Sequence, residues 1–348
     1  MTGLVYDDIF LQHGVPQHPE RAERLTAALA RLEAGGLRAQ MAPLGVRRAT
    51  MDELCRVHDE DYVLYVRALS RDGGGDIDLD TIATARTFEA ASAAAGACID
   101  AAQAVHARAV DNALCLVRPP GHHARYHTGM GFCFFNNVAL AAEALIAEGA
   151  SRLAIVDFDA HHGNGTQECF YHRGDVLYIS LHQTPLFPGT GFVEEVGVEE
   201  GLGTTINLPL PPCAQDIHCL RAFDEVVLPA LAAFEPEAIL VSAGYDGHFG
   251  DPIVQMQLTA RGFFLMTVGL LTAARDLCEG RLTLVLEGGY DLQIGLPESV
   301  EATVCALMRQ PEREWTALDA PPHPAMTARV ERALDEAIDR HRHGPLLS

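Results

Sequence analysis

Short apolar runs alternate along the chain with longer segments in which apolar residues recur at helical spacing. Runs of this length, bounded by glycine and polar residues, predict buried and mainly parallel strands. Five such runs stand out, at 113–117, 152–158, 176–181, 238–244 and 281–289. The Ala- and Leu-rich segments predict crossover helices, at 135–149, 215–234 and 258–278. This alternation predicts an α/β fold with a central sheet flanked by helices on both faces.

The chain shows no internal repeat, low-complexity segment or interdomain linker, so we expect a single domain over residues 1–348. A Pro-rich stretch at 319–324 precedes a final predicted helix at about 325–341. The last turns of that helix, DRHRH, are polar, which predicts a peripheral position.

Composition and charge limit the classes of partner. Asp and Glu number 47 against 25 Lys and Arg, which gives a formal net charge of −22. Such a chain repels phosphate, so we expect no nucleic acid partner. The most apolar runs, such as 263–271, are too short to span a bilayer, so we expect no membrane partner. The nine cysteines fall singly, which indicates reduced thiols and a cytoplasmic location.

Polar residues that are uncommon in a core follow each of the five predicted strands. They occupy 118–123, 157–162, 180–182, 245–251 and 288–291. Ligands of open α/β sheets bind beyond the carboxyl ends of the strands. We therefore expect these five loops to converge on one pocket.

The segment IVDFDAHHGNGTQ, at 155–167, carries the strongest local signal for a metal. Asp159 and His161 are two residues apart, so in extended backbone both side chains point the same way and can bind one ion. Asp157 shares that direction. A lone aspartate at a strand end more often caps a helix, but three aligned polar side chains after an apolar strand favour a metal site.

A third ligand must come from another loop, and SAGYDGHFGDP at 242–252 offers one in Asp246. Spacing alone leaves His248 and Asp251 as alternatives, although Asp251 before a proline is also typical of a turn. Two carboxylates and one imidazole leave a coordination position open for water, as a hydrolytic metal site requires.

Two further segments carry residues suited to proton transfer and to carbonyl polarisation. RPPGHHA places His122 and His123 in a rigid loop, and histidine exchanges protons near neutral pH. LEGGYD places Tyr290 behind two glycines, where a phenol can donate to an oxyanion. Taken alone, each is also common as an ordinary surface or packing residue.

The order of these segments resembles the histone deacetylase family, through RPPGHHA, GFCFFNN, DFDAHHGNGTQ, YISLHQ with FPGTG, SAGYDGHFGDP and LEGGYD. HPERAERL at 18–25 and VHDEDYV at 57–63 extend the match. The resemblance covers about residues 1–310 and leaves 311–348 as a C-terminal extension. With Asn164 where class I members have an acidic residue, HHGNG is closer to class II members and their bacterial relatives.

The resemblance implies an arginase/deacetylase-like fold and a metal centre. The implied ligands are Asp159, His161 and Asp246, for Zn²⁺ or, in the cell, Fe²⁺. A structural K⁺ site is implied by the side chains of Asp157, Asp159 and Ser180 and the backbone carbonyls of Asp159, His161 and Leu181.

The resemblance also implies that His122 and His123 transfer protons and that Tyr290 polarises the acyl carbonyl. Asp157 would pair with His122, and Asn164 with His123. Because an amide carries no charge, the imidazolium of His123 is expected to be less stabilised than beside an aspartate.

A substrate tunnel is implied as well, with Phe132 and Phe187 as aromatic walls beside Gly131. Polyamine-selective relatives tend to carry an acidic gatekeeper at the pocket mouth or a long insertion that narrows it. In this chain Ile253 follows GDP and no long insertion is evident, so an acyl-lysine substrate is favoured. Asp80 and Glu194 are acidic residues that the sequence leaves as candidates for the mouth.

We therefore expect a zinc-dependent amidohydrolase that removes acetyl or short acyl groups from lysine side chains. An acetylpolyamine amidohydrolase is the nearest alternative, and a catalytically silent acyl-lysine binding protein is another. A dimanganese ureohydrolase of the same fold needs more bridging carboxylates than these motifs provide. The sequence leaves the acyl length open, and it leaves both a monomer and a homo-oligomer open.

Overall fold

The computed structural model describes residues 1–318 and 324–347, so most of the Pro-rich stretch, residues 319–323, lies outside the described residues. Within them the main sheet has eight strands, and all neighbouring pairs are parallel. The strands are β1 Thr2–Val5, β2 Ala42–Leu44, β5 Asn112–Cys115, β6 Leu153–Asp157, β7 Val176–Gln183, β8 Thr205–Leu210, β9 Ala238–Ala243 and β10 Leu282–Leu286. A small antiparallel hairpin, β3 Gly74–Asp76 with β4 Ile82–Thr84, stands apart.

Helices cover both faces of the main sheet. They are α1 Glu23–Ala34, α2 Met51–Leu54, α3 Glu60–Arg71, α4 Thr87–His106, α5 Asn137–Ala147, α6 Asn164–Phe170, α7 Asp216–Ala222, α8 Leu228–Phe234, α9 Ala260–Cys278, α10 Gly295–Leu307 and α11 Pro324–Arg342. α4 packs with α5, and α9 packs with α10, each pair against the central strands. In the described part of the chain, no helix has the length and apolarity of a membrane span.

The five predicted strands are confirmed as the middle of the sheet. The spatial order is β2-β1-β5-β10-β9-β6-β7-β8, so the predicted runs correspond to the five adjacent strands from β5 to β7. Register places Asp157, the last residue of β6, between Ser180 of β7 and Ser242 of β9. The carboxyl ends of these strands therefore lie side by side, which brings their loops together.

The sequence pattern does not identify some strands and helices, for two physical reasons. The strands β1 and β2 are short. β2 contains Pro43 and β8 contains Pro209, and proline within an apolar run argues against a strand. Every residue of α10 and most of α4 are buried, so neither helix has the polar face that gives a helical period.

The predicted final helix is present as α11, and it covers the edge strand β8. Its polar last turn is only partly in solvent, since His341 is buried and its Nε2 lies 2.8 Å from the carbonyl oxygen of Asn207. An edge strand with unpaired backbone groups is thereby protected.

Candidate active site and metal centre

The loops after the central strands surround one pocket, as the position of the polar residues predicts. The pocket holds about 530 Å³ of space, part of it open to solvent. Its lining consists of Asp80, Pro120, His122, His123, Gly131, Phe132, His161, Phe187, Ile253, Gly288 and Tyr290. Nine of these eleven residues are among the candidate site residues of the sequence, and Pro120 and Gly288 are the additions.

Three buried side chains at the base of the pocket form a group able to hold a metal ion. One ligand atom from each of Asp159, His161 and Asp246 lies within 4.8 Å of the others. Nδ1 of His161 is 2.7 Å from Oδ2 of Asp246 and 3.2 Å from Oδ1 of Asp159. His161 is thus oriented with Nδ1, not Nε2, toward the carboxylates.

Backbone amides fix both carboxylates of this group. The N–H groups of Gly288 and His161 donate to Asp159 over 2.7 and 2.8 Å, and that of Ala160 donates to Asp246 over 2.9 Å. A Cβ on Gly288 would lie 2.5 Å from Oδ2 of Asp246 and 2.6 Å from Oδ2 of Asp159. Glycine at position 288 is therefore needed for the carboxylates to occupy this place.

The chemistry of the three donors fits a divalent transition metal. Burial lowers the pKa of His161, but the charges of Asp246 and Asp159 outweigh it and raise the pKa to about 10. The negative field that holds a proton there also favours a cation. Two carboxylates and one imidazole suit zinc or iron and leave a coordination position for water or substrate.

The alternative ligands His248 and Asp251 lie outside this group. The carboxylate of Asp251 accepts the N–H groups of Ile253 and Tyr290, over 2.9 and 2.7 Å. Nδ1 of His248 accepts the N–H of Gly250 over 3.1 Å. Asp251 therefore shapes the turn and holds the backbone of Tyr290.

The adjacent histidines have different partners. Nδ1 of His122 lies 3.0 Å from Oδ2 of Asp157, and Nδ1 of His123 lies 2.8 Å from Oδ1 of Asn164. These are the pairings that the family resemblance implies. Both partner oxygens accept, so each Nδ1 carries the hydrogen and Nε2 of a neutral imidazole is the free acceptor.

Their surroundings separate the pKa values of the two imidazoles. Burial lowers the pKa of His122, but the charges of Asp157 and Asp159 outweigh it and raise the pKa to about 10. Burial lowers the pKa of His123 well below its ordinary value, and His122 lowers it further. The pKa values of the two imidazoles are thus shifted in opposite directions, a separation typical of acid–base sites.

Tyr290 forms part of the opposite wall. Its ring lies edge-on to Phe132 with 5.9 Å between centroids, and the guanidinium of Arg24 lies over it at 4.9 Å. Burial raises the pKa of Tyr290 well above the ordinary value, which keeps the phenol protonated. The hydroxyl is therefore available as a hydrogen-bond donor.

The mouth is built on a strained turn. Gly131 and Phe132 have φ of +54° and +69°, a region that Phe rarely adopts. The N–H of Gly131 donates to Asp80 over 3.2 Å, and that of Phe132 donates to Thr81 over 3.0 Å. The segment between β3 and β4 thus holds Phe132 at the pocket wall.

The other rim residues are apolar. Phe187 and Ile253 are 38% and 37% exposed, so each faces both the pocket and solvent. The ring of Phe187 meets that of His123 edge-on with 5.1 Å between centroids. Of the two acidic candidates for the mouth, Asp80 lines the pocket and Glu194 does not.

Comparison with known proteins assigns the family. A family model described as the histone deacetylase domain matches residues 18–307. This chain belongs to the histone deacetylase family. Family membership confirms the predicted fold class and the prediction that the chain is a hydrolase of the deacetylase or amidohydrolase type.

Individual deacetylase relatives match over nearly the whole chain. A probable deacetylase of Archaeoglobus fulgidus is 42% identical over 322 residues, which covers 90% of this chain and 89% of the relative. A histone deacetylase-like amidohydrolase of Pseudomonas aeruginosa is 40% identical, with 88% and 82% covered. The crystal structure of the HDA15 HD domain superimposes with a TM-score of 0.89 at 36% identity, over 99% of this chain and 96% of that chain.

One residue beside the deacetylase site is missed by the sequence reasoning. Glu287 follows β10 directly, is fully buried, and accepts hydrogen bonds from the loop that carries His122. The available signal is a glutamate that ends the apolar run RLTLVLEGG. Charged residues are almost never fully buried unless they have partners, so a glutamate at the end of a buried strand predicts hydrogen-bond donors around its carboxylate.

Proposed function

We propose that this chain is a zinc-dependent amidohydrolase that removes an acetyl or other short acyl group from the lysine side chains of proteins or peptides. The observation that carries the proposal is the buried Asp159–His161–Asp246 group, at the base of a pocket with an apolar mouth. Two histidines, whose pKa values are shifted in opposite directions, and a phenol face the same space. Zinc is the ion proposed for this group, with Fe²⁺ as its alternative in the cell, because one imidazole and two carboxylates with a position left open suit either ion.

The proposed reaction is direct attack of water on the acyl carbon. Asp159, His161 and Asp246 would hold the zinc ion, which would polarise the acyl carbonyl and lower the pKa of the attacking water toward about 7. His123 accepts a proton from the attacking water at Nε2, and later returns it to the departing amine nitrogen. His122, held by Asp157, stays protonated and orients the same water. Tyr290 donates its hydroxyl hydrogen to the oxyanion that develops on the acyl oxygen.

We also propose a structural K⁺ site next to the proposed metal group. Asp157 and Ser180 are paired in register on β6 and β7, which places their side chains on the same face of the sheet. We propose that these two side chains, the carboxylate of Asp159, and the carbonyls of Asp159, His161 and Leu181 hold a structural K⁺. Its function would be to offset the negative charge of the buried aspartates.

The free cysteines support a cytoplasmic location, which we also propose. All nine are free thiols, and six of them are buried. Proteins of oxidising compartments commonly use such a number in disulfides.

The acetylpolyamine alternative has one observation in its favour, the position of Asp80 at the mouth. Its Oδ1 already accepts hydrogen bonds from Gly131 and Thr81. Ile253, which lines the same pocket as Phe132 and Phe187, offers no charge to a second ammonium group. The uncharged Ile253 therefore favours an acyl-lysine, whereas Oδ2 of Asp80 accepts neither of these two hydrogen bonds, and the substrate comparison decides between the two classes.

Substrate choice tests the proposal. We expect a higher kcat/KM for acetyl-lysine peptides than for acetylputrescine or acetylspermidine, measured by release of acetate from zinc-loaded enzyme. The Ile253→Glu variant should move the ratio toward polyamines by roughly 10- to 100-fold, since a hydrogen bond to a charged group contributes about 1.5–3 kcal/mol. Ile253→Gln, of the same size as the glutamate variant but uncharged, is the control.

A tenfold or greater preference of the wild-type enzyme for acetylpolyamines would exclude the acyl-lysine assignment. Absence of turnover on every substrate, with the metal bound, would favour the silent binding protein. The chain contains no lysine, so all acetyl-lysine in these assays belongs to the substrate.

A further inference from the structure

Glu287 has contacts that the proposed reaction does not use. Its side chain is fully buried at the end of β10. Oε2 accepts the N–H of Gly121 over 2.7 Å and that of His122 over 3.2 Å. Oε1 accepts the hydroxyl of Ser242, at the end of β9, over 3.1 Å. One carboxylate thus joins two central strands to the loop of the paired histidines.

The two amides depend on this carboxylate. Within the described residues, the N–H groups of Gly121 and His122 have no other acceptor. A buried amide without an acceptor is costly, so removal of Glu287 would force the loop to move or to admit water.

The loop is also confined from its other sides. A Cβ on Gly121 would lie 2.5 Å from the backbone nitrogen of Asn137 and 2.8 Å from the carbonyl oxygen of Phe135. The carbonyl of His122 accepts the N–H groups of Gly165 and Thr166 over 3.0 and 3.1 Å. The backbone of His122 is therefore clamped between Glu287 on one side and the start of α6 on the other.

The direction of the two imidazoles follows from this clamp. His122 and His123 are consecutive, so rotation of the peptide at His122 would move both rings, whose centroids are 4.0 Å apart. Outer partners that orient reacting groups commonly change activity by about 10- to 100-fold when they are removed.

We propose that Glu287 is a positioning residue for amide hydrolysis, through the hydrogen bonds by which it fixes the peptide of His122 and with it both imidazoles. The inference rests on the proposed function, since it assigns these histidines to proton transfer. It adds Glu287 to the residues needed for the reaction, beyond the metal ligands, the two histidines and Tyr290.

The test compares two substitutions at this position. Glu287→Gln can keep its oxygen toward the amides and direct its nitrogen to the Ser242 hydroxyl, so the clamp is retained without the charge. Glu287→Ala removes the clamp. We expect kcat on an acetyl-lysine peptide to fall by roughly 10- to 100-fold in Glu287→Ala and to stay within about fivefold in Glu287→Gln, with KM and zinc content unchanged in both.

A second buried glutamate, Glu301, serves as the control that distinguishes loss of positioning from a general loss of stability. Glu301 is buried in α10 and pairs with Arg31 and Arg313, away from the pocket. We expect Glu301→Ala to lower the melting temperature and to leave kcat unchanged. If Glu287→Ala does not fold, Glu287→Asp replaces it, because the shorter side chain keeps the charge and withdraws the acceptor.

Hydrogen exchange supplies a readout that does not depend on activity. The amides of Gly121 and His122 should exchange faster in Glu287→Ala than in wild type, with and without metal, and Glu287→Gln should restore their protection. The proposal is overturned if folded, metal-loaded Glu287→Ala keeps kcat within twofold, or if protection at these amides is unchanged. Lack of wild-type turnover on any amide would instead reject the proposed function, and the exchange result would still decide the clamp.

Discussion

Asp159→Ala and Asp246→Ala should each leave the protein without bound metal and without measurable amide hydrolysis. Each variant removes one of the three proposed ligands from a group whose donor atoms lie within 4.8 Å of one another. Two ligands from a buried site hold a divalent ion far less tightly than three. Elemental analysis of the purified protein, per mole of chain, together with turnover of an acetyl-lysine peptide, measures both losses.

Asp251→Ala is the matched control for the metal prediction. Asp251 lies in the same loop as Asp246, but its carboxylate accepts backbone N–H groups of Ile253 and Tyr290. We expect this variant to bind metal at the wild-type stoichiometry and to lose activity only through displacement of Tyr290. Full metal occupancy in Asp246→Ala, or loss of metal in Asp251→Ala, would show that the ligands are wrongly assigned.

The central part of the fold could be predicted because its strands are buried on both faces. Such strands are continuous apolar runs, and β5, β6, β7, β9 and β10 are visible as runs for that reason. The neighbouring helix α10 is buried on every side, Glu298 and Glu301 included, so no amphipathic period marks it. Full burial therefore makes a parallel strand recognisable as an apolar run, but it removes the amphipathic period by which a helix is recognised.

In the proposed metal group, spacing along the sequence predicts two of the ligands but not the third. Asp159 and His161 are close in sequence, and strand geometry alone brings them together. Asp246 comes from the next strand in space, β9, but from 85 residues beyond His161 in sequence. His248 and Asp251 are indistinguishable from it by position alone. Only the path of the turn after β9 decides which carboxylate faces His161.

The pocket mouth and the Glu287 clamp could not be derived from sequence for a different reason. Phe132 occupies a left-handed conformation that its residue type disfavours, and it is held there by Asp80 and Thr81 from a distant hairpin. The contacts of Glu287 with Gly121 and His122 span more than 160 residues of chain. Side chain to backbone hydrogen bonds over such separations leave no periodic pattern.

Tyr290→Phe should retain fold and metal but lose turnover by roughly a hundredfold or more, the scale that follows removal of one oxyanion donor. The ring contacts with Phe132 and Arg24 survive, because the substitution deletes only the hydroxyl. Burial keeps the phenol protonated, so it can donate throughout the neutral range. The loss should appear in kcat while KM stays nearly constant, because the donated hydrogen bond strengthens as charge develops on the acyl oxygen. Single-turnover rates and metal content of both proteins provide the measurement, and near-normal turnover in a metal-loaded Tyr290→Phe enzyme would remove Tyr290 from the reaction.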